Sequence, residues 1–236
     1  CPPGSACALA STAPAKCPRG TVASEYGAAE CTDCDGGFFQ ATSGRTACNS
    51  CRRGSYCPQG SSAPLPCDIG HYGAATDLSA PEQCEACPVG TSCTTGSVSP
   101  LVCAAGSVQA DSGRSSCRYC TTGEYQSSVS QSACRTCESG KYSAINGSAE
   151  CNNCLSRTSS YNASDSCNVC AEGFYRRDVL TDATPTNCLP CPEKGAACPM
   201  DTTLETIVLL PGHWRLSGRS TVVTRCEGAN AKARCK

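Results

Sequence analysis

Large apolar side chains are scarce in this sequence. Leu, Ile, Val and Phe together number 28 of 236 residues, with one Trp and one Met. A chain so poor in them has no material for one large hydrophobic core. No run of large apolar residues is longer than Ile207 to Leu210, too short to cross a bilayer, so the sequence predicts no membrane insertion within this segment. Charge of one sign is lacking too. Nineteen Lys plus Arg stand against 20 Asp plus Glu, which gives no electrostatic reason to expect nucleic acid as a partner. The only histidines, His71 and His213, lie far apart and outside any recognisable nucleophile or metal motif, His71 reading as a solvent-facing turn residue. No phosphate-binding glycine loop is present. The sequence therefore predicts neither an enzyme nor a cofactor. The first residue is Cys1, with no Met and no apolar signal stretch, which reads as a mature piece or a fragment of something larger.

Cysteine is what the chain has in excess: 26 residues, an even number and about 11% of the total, the level of a disulfide scaffold. Aligning the chain with itself at each Cys followed shortly by Gly or its substitute gives twelve starts: Cys1, Cys17, Cys34, Cys51, Cys67, Cys87, Cys103, Cys120, Cys137, Cys154, Cys170 and Cys191. One repeat of about 17 residues runs the length of the chain. Such a period predicts a linear array in which each repeat contacts only its neighbours.

Two kinds of repeat share the array. In eight, a second Cys falls just before the next start: Cys31, Cys48, Cys84, Cys117, Cys134, Cys151, Cys167 and Cys188. In three others that late Cys is missing and one appears six residues after the start, at Cys7, Cys57 and Cys93. Cys191 is followed by Cys198, and Cys226 and Cys235 remain as a final couple. The stretch CTDCDGGFFQATSGRTACNSC, residues 31–51, has the C-x2-C-x13-C-x2-C spacing of a zinc ribbon. A metal tetrad would draw ligands from two repeats and has no reason to compensate within one, whereas an internal disulfide requires that compensation. We therefore pair each start with the partner inside its own repeat, although sequence leaves connectivity formally open. A thioredoxin-like redox reading of the CxxC elements lacks the strand–helix–strand context.

GGFFQATSGRTAC, TGEYQSSVSQSAC and SGKYSAINGSAEC all run Gly, x, aromatic, polar turn, Cys. The Gly permits positive φ beside the bridge. Phe39, Tyr72, Tyr125, Tyr142 and Tyr175 are expected to cover sulfurs of an adjoining repeat and form a miniature core. Turn signals such as Ser43-Gly44, Ser112-Gly113 and Asn146-Gly147 fold each repeat into two short strands. Pro14, Pro64 and Pro100 mark the other kind of repeat, whose last arm is read as an extended spacer rather than a paired strand. Two sequons, at Asn146 and Asn162, fall on expected turn tips where a glycan would meet no neighbour. Disulfides in this number persist only outside the reducing cytosol, so the protein is expected to be extracellular or on a cell surface.

The units C-x2-G-x-Y with a turn and then C-x2-C, and the variant CPxGxxC followed by GSSxPxPC, resemble the ephrin-receptor-like cysteine-rich repeats of large surface proteins, and in style the first module of tumour-necrosis-factor-receptor repeats. The resemblance covers about residues 1–190. It implies an extracellular, disulfide-laddered, elongated architecture shared by receptors, adhesion proteins and filament components. Arg157 stands where this pattern expects Gly, which leaves the first turn of that repeat open. LPGHWR, residues 210–215, resembles the segment found after such repeats in large surface proteins of unicellular eukaryotes.

The sequence thus predicts a small disulfide-rich fold: a rod of about twelve disulfide-closed turn or β-hairpin units with little helix. Tandem repeats occupy residues 1–190, and a C-terminal cysteine-rich capping module occupies 191–236, with Ile207, Leu209, Trp214 and Val222 as its apolar contents. The expected role is a structural segment of a surface filament, stalk or coat, a flagellar hair of the mastigoneme kind being one that fits, contacting copies of itself or other fibre components and carrying N-linked glycans. The alternative is a ligand-binding ectodomain of a receptor or adhesion protein.

Overall fold

A computed structural model describes residues 1–9, 11–178, 183–184 and 186–227. Among them the chain forms twelve two-stranded sheets and one three-stranded sheet, each strand two or three residues long, and one 3₁₀ turn at Pro81–Gln83. The 3₁₀ turn falls in the longer repeat that begins at Cys67. There the Gln83 Oε1 accepts the Ser79 and Ala80 amides at 2.6 and 3.2 Å.

Each repeat is an antiparallel hairpin closed by its own bridge. Eight bridges span 13–18 residues: Cys17–Cys31, Cys34–Cys48, Cys67–Cys84, Cys103–Cys117, Cys120–Cys134, Cys137–Cys151, Cys154–Cys167 and Cys170–Cys188. Four are short, spanning 6 or 7: Cys1–Cys7, Cys51–Cys57, Cys87–Cys93 and Cys191–Cys198. Cys226 is disulfide-bonded as well, while Cys235 lies outside the described residues. The four cysteines of the zinc-ribbon-like stretch, Cys31, Cys34, Cys48 and Cys51, thus belong to three separate bridges. Its spacing arises because one repeat ends three residues before the next begins.

The proline arms are paired, contrary to expectation. Ala15–Lys16, Leu65–Pro66 and Leu101–Val102 lie antiparallel to Ser5–Ala6, Ser55–Tyr56 and Thr91–Ser92. Proline is tolerated because the bond that closes the ribbon comes from the next residue, as in Cys67 N–H to Gly54 O at 2.9 Å. An amide at Pro66 would point away from its partner strand. His71 likewise lies on a strand, His71–Tyr72, and is half-buried rather than at a turn.

The chain divides into two compact bodies. One comprises Cys1–Ala104, Val108–Arg118 and Val129–Ala133; the other comprises Ala105–Ser107, Tyr119–Ser128 and Cys134–Lys236. Both are filled by cystine sulfur rather than by aromatic rings. Cys17, Cys51, Cys67, Cys120, Cys137 and Cys170 are fully buried, whereas Phe39, Tyr72, Tyr125 and Tyr142 are only half-buried and Tyr175 alone is buried. The miniature aromatic core is therefore a correction: a two-residue strand gives a ring no second layer to enter, and the inward volume is taken by the bridges.

Candidate interaction surface

The surfaces between consecutive repeats are built from backbone, and three hydrogen bonds recur at them in each body. The first joins the amide three residues after a start to the carbonyl six residues after the next start: Gly4 to Ala23, Gly20 to Gln40, Gly123 to Ser143, at 2.8–2.9 Å. A second runs from the amide at that sixth position to the tip of the following repeat, as in Gln40 to Ser61 at 3.0 Å and Gln126 to Ser148 at 3.1 Å. The third returns from the turn tip to the preceding start cysteine: Gly44 to Cys17, Gly60 to Cys34, Ser130 to Cys103, Gly147 to Cys120 and Ala163 to Cys137, all at 2.8 Å. Isolated parallel bridges, Phe39 with Ser61, Tyr56 with Leu78 and Tyr72 with Ser97, complete the register. At about 1 kcal/mol net per bond, three bonds stabilise a junction by roughly 3 kcal/mol, comparable to a disulfide closing a loop of about 15 residues.

Contact also extends one repeat further than expected. A Cβ on Gly4 would overlap the Gly44 carbonyl two repeats away, one on Gly20 the Gly60 carbonyl, and one on Gly106 the Gly147 carbonyl. The early glycine is thus required twice, by its positive φ, +85° at Gly20, and by this approach. Repeats accordingly touch their neighbours and their next-but-one neighbours, which corrects the expectation of neighbour-only contact.

The tip position shows what sequence reasoning missed. Gly44, Gly113 and Gly147 carry the positive φ that the turn signals imply, but Asp77, Ser130, Ala163 and Asp201 hold the same left-handed conformation without being glycine. Each donates its amide to the start cysteine of the preceding repeat. Position in the period, not residue type, would have found them. Arg157 also keeps the turn left open by sequence, at φ 72°, with its guanidinium 5.7 Å from the centre of the Phe174 ring.

A second missed position is the sixth after each start. There the short-bridge repeats bury Cys57 and Cys93, and the long-bridge repeats bury Ala23, Gln40, Gln126, Ser143 and Ser160. Gln40 donates to Ala47 O at 2.7 Å and accepts the Thr42 amide at 3.0 Å, and Gln109 does the same with Ser116 O and Asp111 N–H. The glutamine amide does across its loop what the early cysteine does by covalent bond.

Both sequon asparagines are exposed, yet their tips do meet a neighbour. Asn146 Oδ1 accepts the Thr122 amide at 3.2 Å, and Asn162 Oδ1 accepts the Ser139 amide at 2.8 Å. A glycan attaches through Nδ2, so these contacts are compatible with modification.

At the C-terminal end a small cluster forms from Tyr175, Cys198, Leu204 and Ile207, with Leu189 and Ala196 against it. Arg215 donates to the carbonyls of Leu204 and Glu205 at 2.5 and 2.7 Å. Of the four apolar residues expected in the cap, Ile207 is buried and Leu209 half-buried, but Trp214 is 42% exposed and Val222 69%. The strand His213–Trp214 pairs with Thr224–Arg225 in a two-stranded ribbon. Its alternation sends the His213 ring onto Gly195 and leaves the indole on the opposite face. Nearby, Asp201 accepts from Arg176 Nη2 at 2.7 Å and from the Tyr161 hydroxyl at 3.1 Å. The hydrogen bond to Asp201, followed by its negative charge, raises the Tyr161 pKa above the usual 10.0. The Tyr72 hydroxyl donates to Glu85 at 2.5 Å, and this hydrogen bond, followed by desolvation and the Glu85 charge, raises the Tyr72 pKa as well.

This architecture defines a cysteine-rich repeat protein of disulfide-closed hairpins. Its disulfide density fits a secreted or extracellular setting, and among the described residues no helix is long and apolar enough to cross a membrane. No protein-family model and no curated protein sequence matches the chain.

Proposed function

We propose that the chain is a non-catalytic structural segment of an extracellular filament, stalk or coat, in which the repeats present a regular surface to copies of the same chain or to other fibre components. The observation that carries this reading is the junction itself. It is made by backbone groups at fixed positions of the period, so the same face recurs whatever the side chains. Repeated faces favour head-to-tail or lateral association. The exposed apolar side chains support it by their spacing: Tyr26, Ile69, Leu101, Tyr119, Ile145 and Leu155 are scattered along the repeats and do not concentrate in one binding hot spot.

A second reading, a ligand-binding ectodomain, is favoured by one feature. Trp214, Leu216 and Val222, all exposed, bring the chain's single Trp and two aliphatic side chains within nine residues of sequence. Electron microscopy of the protein isolated from its source distinguishes the two. Regular polymers are the expected result; dispersed single molecules that capture a soluble protein, with capture lost in Trp214→Ala, would replace the structural reading by the receptor one.

A further inference from the structure

The repeat that begins at Cys154 departs from the other long-bridge repeats in how it holds its bridge. Start cysteines Cys17, Cys34, Cys51, Cys67, Cys87, Cys103, Cys120, Cys137 and Cys170 are at most 1% exposed. Cys154 is half-exposed, and so is its partner Cys167. In the flanking bridges Cys137–Cys151 and Cys170–Cys188 the start cysteine is fully buried, and only the late Cys151 is half-exposed. Among the described residues, this repeat alone sets two non-glycine residues, Arg157 and Ala163, in the left-handed region.

These differences bear on thiol–disulfide exchange. An incoming thiolate that attacks the sulfur of a late cysteine expels the start cysteine as a thiolate, and the rate depends on how well that leaving sulfur carries charge. In the two flanking repeats the leaving sulfur would be Cys137 or Cys170, each shut away from water, and burial without a compensating charge disfavours a thiolate. Cys154, by contrast, is half-exposed.

We propose that Cys154–Cys167 is a thiol-addressable bridge, opened by a small dithiol or a thiol oxidoreductase while the neighbouring repeats stay closed. The reagent's thiolate bonds to Cys167 Sγ, the Cys154–Cys167 bond breaks, and its electron pair leaves on Cys154 Sγ, which takes a proton from solvent. The reagent's second thiol then displaces Cys167 from the mixed disulfide. Two electrons and two protons pass to the protein, and the reagent leaves as its own disulfide. The bridge carries the repeat's only covalent closure, so its opening frees one hairpin without touching the adjoining bridges.

The test is limited reduction of the folded chain by dithiothreitol at neutral pH without denaturant, quenched with iodoacetamide at intervals and mapped by peptide mass spectrometry. Alkylation of Cys154 and Cys167 is expected at least tenfold sooner than at Cys137, Cys151, Cys170 or Cys188. Cys1–Cys7, among the described residues the other bridge with both cysteines half-exposed, should react alongside. Labelling of the flanking bridges at the same rate as Cys154–Cys167, or earlier, would overturn the proposal.

Discussion

Replacing Gly20 with Ala separates the two demands made on the early glycine. Its φ is +85°, where a residue with a Cβ costs about 1–2 kcal/mol. The new Cβ would also overlap the Gly60 carbonyl, which is backbone and part of another closed repeat. Relief requires Gly20 or Gly60 to shift, and three bonds meet there: Gly20 N–H to Gln40 O, Cys34 N–H to Gly20 O, and Gly60 N–H to Cys34 O, each 2.8–2.9 Å. Loss of two at about 1 kcal/mol each brings the total to roughly 3–4 kcal/mol. Gly173 supplies the control. Its φ is +86°, but no described atom lies within 4 Å of its missing Cβ, so Gly173→Ala should cost only the conformational part, about 1–2 kcal/mol.

Native-state hydrogen exchange reads this locally, without having to unfold a chain held by many bridges. At about 1.4 kcal/mol per tenfold, Gly20→Ala should lower protection of the Cys34 and Gly60 amides by more than a hundredfold, and Gly173→Ala that of Cys191 by about tenfold. Equal losses in the two variants would refute the argument that contact across two repeats, and not backbone conformation alone, fixes glycine at this position.

Gln40→Ala removes the side chain that joins Ala47 O to Thr42 N–H, and it should destabilise that loop by about 2 kcal/mol, read as faster exchange at Thr42. Tyr161, whose pKa is raised by Asp201, contributes stability that is complete below the unfolded value near pH 10 and is lost as pH rises through the higher folded value. Tyr161→Phe should abolish that alkaline loss, which a denaturation series across the titration range would show. Non-reducing digestion should yield Cys34 linked to Cys48, and a peptide linking Cys31 to Cys34 would contradict the hairpin scheme. Enzymatic removal of N-glycans from the secreted protein should reduce its mass, with the sugar on Asn146 or Asn162.

The period, the two kinds of repeat and their internal bridges were legible because cysteine, glycine and proline each mark a position by covalent or steric necessity. At Cys7, Cys57 and Cys93, an early cysteine present wherever the late one is missing points to pairing within a repeat. Contacts made by backbone were not legible in that way. Nothing in the identity of Ser130 or Ala163 announces a left-handed tip, because the requirement comes from the carbonyl waiting on the previous repeat. The same holds for Trp214: composition marks it as a core residue, but a two-stranded ribbon has only one covered face, and the alternation gives that face to His213.

The sixth position after each start joins these two levels. It faces the inside of the repeat, and in several repeats the group there closes the loop from inside, although Ala23 and Gly73 hold the same place without one. Cys57 and Cys93 do so with a sulfur bond, Gln40 and Gln109 with an amide that bonds both ends of the turn, and Ser143 with its hydroxyl on Ile145 O and Ser148. Where the closure is polar, the bridge moves out to the end of the hairpin, as in Cys34–Cys48 and Cys137–Cys151. In the repeats of Gln40, Gln109 and Ser143 the exchange of one cysteine position for another goes together with a polar residue that composition counts as a surface group. An aliphatic residue of glutamine's size at Gln40 would fill the volume but leave Ala47 O and Thr42 N–H without their partner, which is why the repeat can be this small and still keep its interior polar.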